Sequence, residues 1–218
     1  MTSGRRYVSP YREKAAAQTR AAILRQAAEL FAERGYGRVT VAEIANAAGV
    51  AHKTVFASVG SKADILDQIV DRAVADSGYR QSVTHMLTLD SAEEVLRVLA
   101  HGTRLGNEGQ STAQEAIRKA LPVHENGQAL WERATAAYRD ALGTVAAHLA
   151  ALGTGLGGHS VQEVADLLWL WFGPTGWRTL VAESGWSWDR AEESLYRTAL
   201  ATLDRPSAPR PDSGPPTP

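Results

Sequence analysis

Residues 40–66 read TVAEIANAAGVAHKTVFASVGSKADIL, and several of their side chains are hydrogen-bond donors with no apolar reason to face inward. The Lys53 ammonium can donate to guanine O6 and N7, and His52 can donate to a base edge or a phosphate. Ala57 and Ser58, a turn further on, are small enough for a backbone to approach closely. Thr40 opens a helix whose free N-terminal amides favour a phosphate. This is groove chemistry, with bases read by donors on the leading end of a helix and phosphates held by helix termini. By residue type alone, Lys53 is equally an ordinary surface lysine.

Catalytic patterns are absent. HENGQ (124–128) starts like a zinc-protease helix, but Gln128 stands where the second histidine is needed, so the i, i+4 ligand pair is missing. GTGLGG (153–158) lacks the preceding strand of a dinucleotide site. The chain has no cysteine, which excludes disulfides, thiolate metal sites and Cys nucleophiles and agrees with a reducing compartment. No catalytic residue, metal ligand or cofactor is assigned, and a protein that is not an enzyme is expected.

The elements that must position these donors all have the helical period. Over 15–34, Ile23, Ala27, Leu30 and Phe31 form one stripe, and Gly35 and Gly37 end it. Thr40 and Glu43 have the spacing of a capping box, which starts a helix over 41–48. Gly49 breaks that helix at a tight turn, and Val50 plugs the bend. A third helix, roughly 51–58, turns Val55 and Val59 inward. Ser61 and Asp64 cap a fourth over 62–80. Longer helices follow at 91–106, 111–120, 124–152, 160–172, 175–184 and 187–203, with GTGLGGHS (153–160) as a flexible connector and Gly173-Pro174 as an interruption. The tail 205–218 holds six prolines in fourteen residues and is expected to be disordered.

Charge is unevenly placed. Residues 1–62 carry ten Lys/Arg against four Asp/Glu, a net +6, while 63–218 carry thirteen against twenty, a net −7. A basic front on an acidic body suits a polyanionic partner for the front alone; the alternative is a solvated basic face. Arg5 and Arg6 stand on an arm that could enter a minor groove or could be plain disorder. No apolar h-region opens the chain and no run reaches the ~20 apolar residues of a membrane span, so a cytoplasmic protein with no membrane partner is expected.

These residues resemble the TetR family of transcriptional regulators. The likeness covers about residues 18–70. It includes the phrase that precedes the motif, at Ala27/Ala28, Leu30, Phe31, Gly35, Tyr36 and Thr40. LLWLWFGPTGWRTLVAESGW (167–186) is similar to a C-terminal pattern of some members. The resemblance implies phosphate contacts from Thr54 and Lys62, and a DNA-facing aromatic at Phe56. Three positions depart from the family. Ala51 replaces the usual Ser or Thr, so the reading helix loses a side-chain cap worth about 1 kcal/mol. Phe56 replaces a Tyr whose hydroxyl commonly bonds phosphate, and Val59 replaces an aromatic.

The resemblance also implies a helical body that binds a small molecule and dimerises through its last two long helices. Residues 160–203 suit this independently, because LLWLWF has more apolar circumference than one core uses. Leu168, Trp171, Leu195 and Ala199 are the expected dimer residues. All six tryptophans lie at or after Trp131. Trp131, Tyr138, Trp169, Phe172 and Trp177 could line a pocket for an amphipathic molecule, or could be core and interface.

The expected fold is therefore all-α. A flexible basic arm (1–14) precedes a three-helix helix-turn-helix DNA-binding domain (15–61), a helical ligand-binding and dimerisation domain (62–204) and the tail (205–218). The expected partners are double-stranded DNA, a small-molecule effector and a second copy of the chain. The competing reading is a helical small-molecule carrier without DNA function, which leaves the basic front unexplained.

Overall fold

The computed structural model of the chain describes residues 10–76, 78–153 and 156–204. Among these residues there are ten α-helices and no strand: α1 (Pro10–Arg34), α2 (Val41–Ala47), α3 (His52–Val59), α4 (Lys62–Ala75), α5 (Tyr79–Met86), α6 (Ala92–Ala120), α7 (Gly127–Ala151), α8 (Val161–Phe172), α9 (Pro174–Arg178) and α10 (Trp188–Leu203). None of the described helices is long and apolar enough to cross a membrane. The chain forms two compact units, residues 1–77 with 109–136, and residues 78–108 with 137–218.

The first unit is built on the α1 stripe. Ile23, Ala27 and Phe31 are fully buried against Ile44 of α2, Val55 of α3 and Ile65 and Leu66 of α4. Ala116, Ile117 and Leu130 complete the cluster from α6 and α7. α2 and α3 have only seven and eight residues, too few to persist alone. Their buried side chains, at about 1.5–3 kcal/mol for each large one, hold them in place. Cations close the C-terminus of α1. Lys119 Nζ donates to Ala32 O (2.5 Å) and Glu33 O (3.2 Å), and Arg38 Nε donates to Arg34 O (2.8 Å), satisfying carbonyls that have no helical partner. Arg133 on α7 donates to Asp67 on α4 at 2.6 Å; this pair is exposed and worth at most about 1 kcal/mol.

The second unit has its own core. It joins Val95, Leu96 and Leu99 of α6, Leu142, Val145 and Leu149 of α7, Val164, Leu168 and Phe172 of α8, and Leu195, Tyr196 and Ala199 of α10. Gly173 adopts an extended conformation, with φ −70° and ψ 167°, and Pro174 opens α9. Proline fits there because the first helical N–H needs no partner.

Four element expectations change. The helix expected over 62–80 ends at Ala75 and is followed by a separate α5 after Gly78, whose φ is +63°. The helices expected over 91–106 and 111–120 are one 29-residue helix, α6. Gly106 and Gly109 cost about 1 kcal/mol each in a helix, but buried residues on both sides of them, Leu99 and Ala100, then Ala116 and Ile117, carry the helix through. The connector 153–160 is anchored where described, since Leu156 is buried in the second core. Residues 10–14 of the expected arm are the first turns of α1; the rest of that arm and the tail 205–218 lie outside the described residues.

Capping boxes start α2, α4 and α8, pairing Thr40 with Glu43, Ser61 with Asp64 and Ser160 with Glu163. In each, the cap residue's backbone N–H is the main cause that holds the carboxylate below its ordinary range. A lowered folded pKa means stability that is present above the unfolded value and lost as pH falls through the folded one. Melting temperature is therefore expected to fall on acidification below about pH 4. Changing Thr40, Ser61 and Ser160 to Ala should cost about 2–4 °C each at neutral pH and flatten that acid slope. Thermal unfolding by circular dichroism between about pH 6 and pH 3 checks both.

Candidate nucleic-acid interface

α3 presents two different faces. Val55 and Val59 are buried in the first core, while His52, Lys53, Phe56 and Ala57 are exposed and Thr54 and Ser58 are half-buried beside them. Positions 52, 53, 56 and 57 share one side of a helix, so the structure brings the expected reading residues together. Ala51 is the N-cap and makes no side-chain cap bond, although its carbonyl accepts from the Thr54 N–H at 2.8 Å. Phe56 is 48% exposed, a large apolar ring left in water. Its ring meets that of His52 edge to face at 5.0 Å.

Thr40 has less to offer than its type promises. Its hydroxyl donates to Glu43 Oε2 (2.8 Å) and accepts from the Glu43 N–H (3.2 Å), and its own N–H is taken by Glu43 Oε2 (2.8 Å). Glu43 is further held by Arg34 at 3.1 Å. A phosphate at this end of α2 therefore meets backbone amides rather than a free hydroxyl.

Lys62 does not project freely. Its Nζ lies 4.3 Å from the centroid of the Tyr36 ring. Burial holds its pKa below the usual lysine value, against the pull of Glu43. The Tyr36 ring also meets Phe31 (5.1 Å) and His124 (5.5 Å) edge to face, and burial, with Asp67 and Glu125, pushes its phenol up. Reaching a phosphate requires Lys62 to leave a cation–π contact worth about 0.5–1 kcal/mol.

Three groups set the pose of α3. Gly49 turns at φ +67° between α2 and α3. Gly60 has φ +88°, and a Cβ on it would fall 2.5 Å from Asp64 Oδ2, so only glycine fits. Gln68 on α4 donates from Nε2 to Val59 O (2.7 Å) and Asp64 O (3.0 Å), while its buried Oε1 has no partner. The two glycines could be expected from their place between helices; nothing in the sequence singles out Gln68.

The residues expected to line a pocket separate. Trp131 packs on the core of the first unit. Tyr138, Trp169, Phe172 and Trp177 belong to the second. Phe172 and Trp177 are core, at 0% and 1% exposure. Phe172 O accepts from Tyr138 Oη (2.5 Å) and Trp177 Nε1 (3.1 Å). Tyr138 meets the half-buried Trp169 edge to face at 5.7 Å, and burial raises its pKa. Trp169 lines a groove of about 590 Å³ between α7 and α8.

The expected dimer residues change as well. Leu168, Leu195 and Ala199 are buried inside the protomer and have no surface to offer a second copy. Trp171 is half-buried. Leu170, 61% exposed, and the half-buried Leu167 lie beside it on the outer side of α8. The outer side of α10 is polar, with Arg197 paired to Glu193 at 2.5 Å.

Comparison with known proteins fits this geometry. Residues 23–69 match the sequence model described as "Bacterial regulatory proteins, tetR family". Curated proteins give no match. Among solved structures, the chain is similar to a protein reported as a transcriptional regulator of Saccharomonospora viridis, solved in complex with choline. That pair has 21% identity and a TM-score of 0.67 over 85% of this chain and 96% of the other. It is also similar to the fatty acid degradation regulator FadR of Bacillus halodurans, at 14% identity and a TM-score of 0.64 over 89% and 97%. A third likeness is to the TetR-family regulator PfmR of Thermus thermophilus, at 20% identity and a TM-score of 0.63 over 84% and 97%. At these identities the structures speak for the fold alone, and the sequence match is confined to the segment from Ile23 in α1 to Ile69 in α4. Residues 23–69 thus carry the sequence pattern of the bacterial regulatory proteins of the tetR family, and the rest of the chain is matched in fold alone.

Proposed function

We propose that the chain is a homodimeric transcriptional repressor that leaves a palindromic operator when its second unit binds a small amphipathic molecule. The observation that carries the reading is the outer face of α3, where His52, Lys53, Phe56 and Ala57 stand exposed on a helix fixed by capped neighbours. Lys53 reads a base. Thr54, Ser58 and Lys62, with the amides at the start of α2 beside Thr40, hold phosphates. Leu167, Leu170 and Trp171 of α8 supply the apolar contact between subunits. The choline held by the Saccharomonospora viridis protein supports a small-molecule effector, and Trp169, with Tyr138 behind it, is its aromatic contact here.

The test is a mobility shift with the DNA flanking the protein's own gene, followed by selection from random sequence. A dimer should select an imperfect palindrome with half-sites about one DNA turn, ~34 Å, or a multiple apart. Lys62→Ala should weaken all sequences about equally and lower the salt slope by about one unit, whereas Lys53→Ala should relax one base pair per half-site. Identical behaviour of the two variants would sink the division between holding and reading. Absence of DNA binding at low salt would favour the small-molecule carrier.

A further inference from the structure

We infer that the groove between α7 and α8 is a binding site for an organic cation, seated on the face of Trp169 that Arg139 now covers. The inference rests on the reading of the second unit as an effector-binding body and adds the chemical class of the ligand. The groove holds about 590 Å³, within the range of small-molecule sites. Arg139, Asp140 and Gly143 line it from α7, and Ala165, Asp166 and Trp169 from α8. Gly143 and Ala165 leave the room.

Three observations choose a cation. First, the Trp169 ring already carries one, with Arg139 Cζ 4.3 Å from its centroid. That guanidinium has no ion pair among the described residues, so the ring is its partner. The site thus displays its preference with a side chain of its own. Second, the ring is held for the purpose. Tyr138 meets it at 85° and 5.7 Å, and the Tyr138 hydroxyl is fixed on Phe172 O. Third, the two carboxylates outnumber the one guanidinium. Asp166 receives only a long 3.4 Å bond from Gln162, and the Asp140 carboxylate has no ion pair among the described residues. An anion entering here would face two like charges. A weakly hydrated ammonium gains the aromatic face and both carboxylates, and sends Arg139 into water.

The arrangement makes a prediction of unusual sign, because Arg139 competes with the ligand. Benzyltrimethylammonium is the probe, titrated into the full chain without DNA and followed by calorimetry and by the indole N–H resonances. Saturable binding with a shift of the Trp169 resonance is expected, and benzoate should not bind. Arg139→Gln should tighten binding about three- to tenfold. Asp166→Asn and Trp169→Leu should each weaken it by about tenfold or more, with Asp166→Asn also guarding against a folding defect in the tryptophan variant. Absence of saturable binding, weaker binding by Arg139→Gln, or binding of benzoate in place of the cation would each overturn the assignment. DNA takes no part in this titration, so loss of operator binding and loss of cation binding remain separate results.

Discussion

Leu168→Arg is expected to unfold the second unit, and Leu170→Arg to leave a folded monomer. The two positions are two residues apart on α8, yet Leu168 is 0% exposed and Leu170 is 61% exposed. An arginine at 168 would place an unpaired guanidinium among Val164, Phe172 and the α6 and α7 side chains. Burying such a charge costs several kcal/mol beyond the lost leucine packing, comparable to the whole stability of about 5–15 kcal/mol of a typical domain. At 170 the charge stays in water in the free protomer and, in the homodimer proposed above, is desolvated where the subunits meet. Two-fold symmetry makes that happen twice. Sedimentation equilibrium and urea unfolding, read together, separate the cases. A folded Leu168→Arg protein would contradict its burial, and a dimeric Leu170→Arg protein would move the interface off α8.

Trp177→Ala should lose about 3–5 kcal/mol of stability, while Trp169→Ala should lose far less. Trp177 is 1% exposed, donates from Nε1 to Phe172 O and lies 5.7 Å from Trp188 in a tilted stack. Its removal leaves a cavity the size of an indole between α8 and α10. Trp169 is half-buried at the groove, so its loss opens a surface to water instead. Urea unfolding of both variants measures the difference. Equal losses would mean that Trp169 is core and that the groove is a crevice without a ligand role.

The contrast marks what the sequence makes legible. Helix starts are local events, so Thr40 with Glu43, Ser61 with Asp64, and Gly49 between two short apolar stripes disclose the reading head directly. Period also tells which side of a helix is apolar. It does not tell which of two cores that side joins, so Trp131 looks like a neighbour of Trp169 although it packs on the first core. Nor does it tell a buried leucine from an outward one on a helix apolar all round, as with Leu168 and Leu170. Gly106 and Gly109 look like a break because propensity weighs each residue alone, whereas burial on both sides decides for α6 as a whole. Gln68 and Arg139 gain their roles entirely from what tertiary packing sets beside them.

The corner between α3 and α4 has a mechanical consequence. Gly60 has no space for a side chain beside Asp64, Asp64 takes both the N–H and the hydroxyl of Ser61, and Gln68 grips the last carbonyl of α3. These contacts brace the joint, and α3 and α4 are expected to turn together, like a crank fixed to its shaft. A rotation of α4 is expected to carry the exposed face of α3 with it. For a chimaera that borrows this reading head, the cut belongs beyond Gln68. A splice at residue 61, where the reading helix has just ended, would leave the crank behind without its shaft.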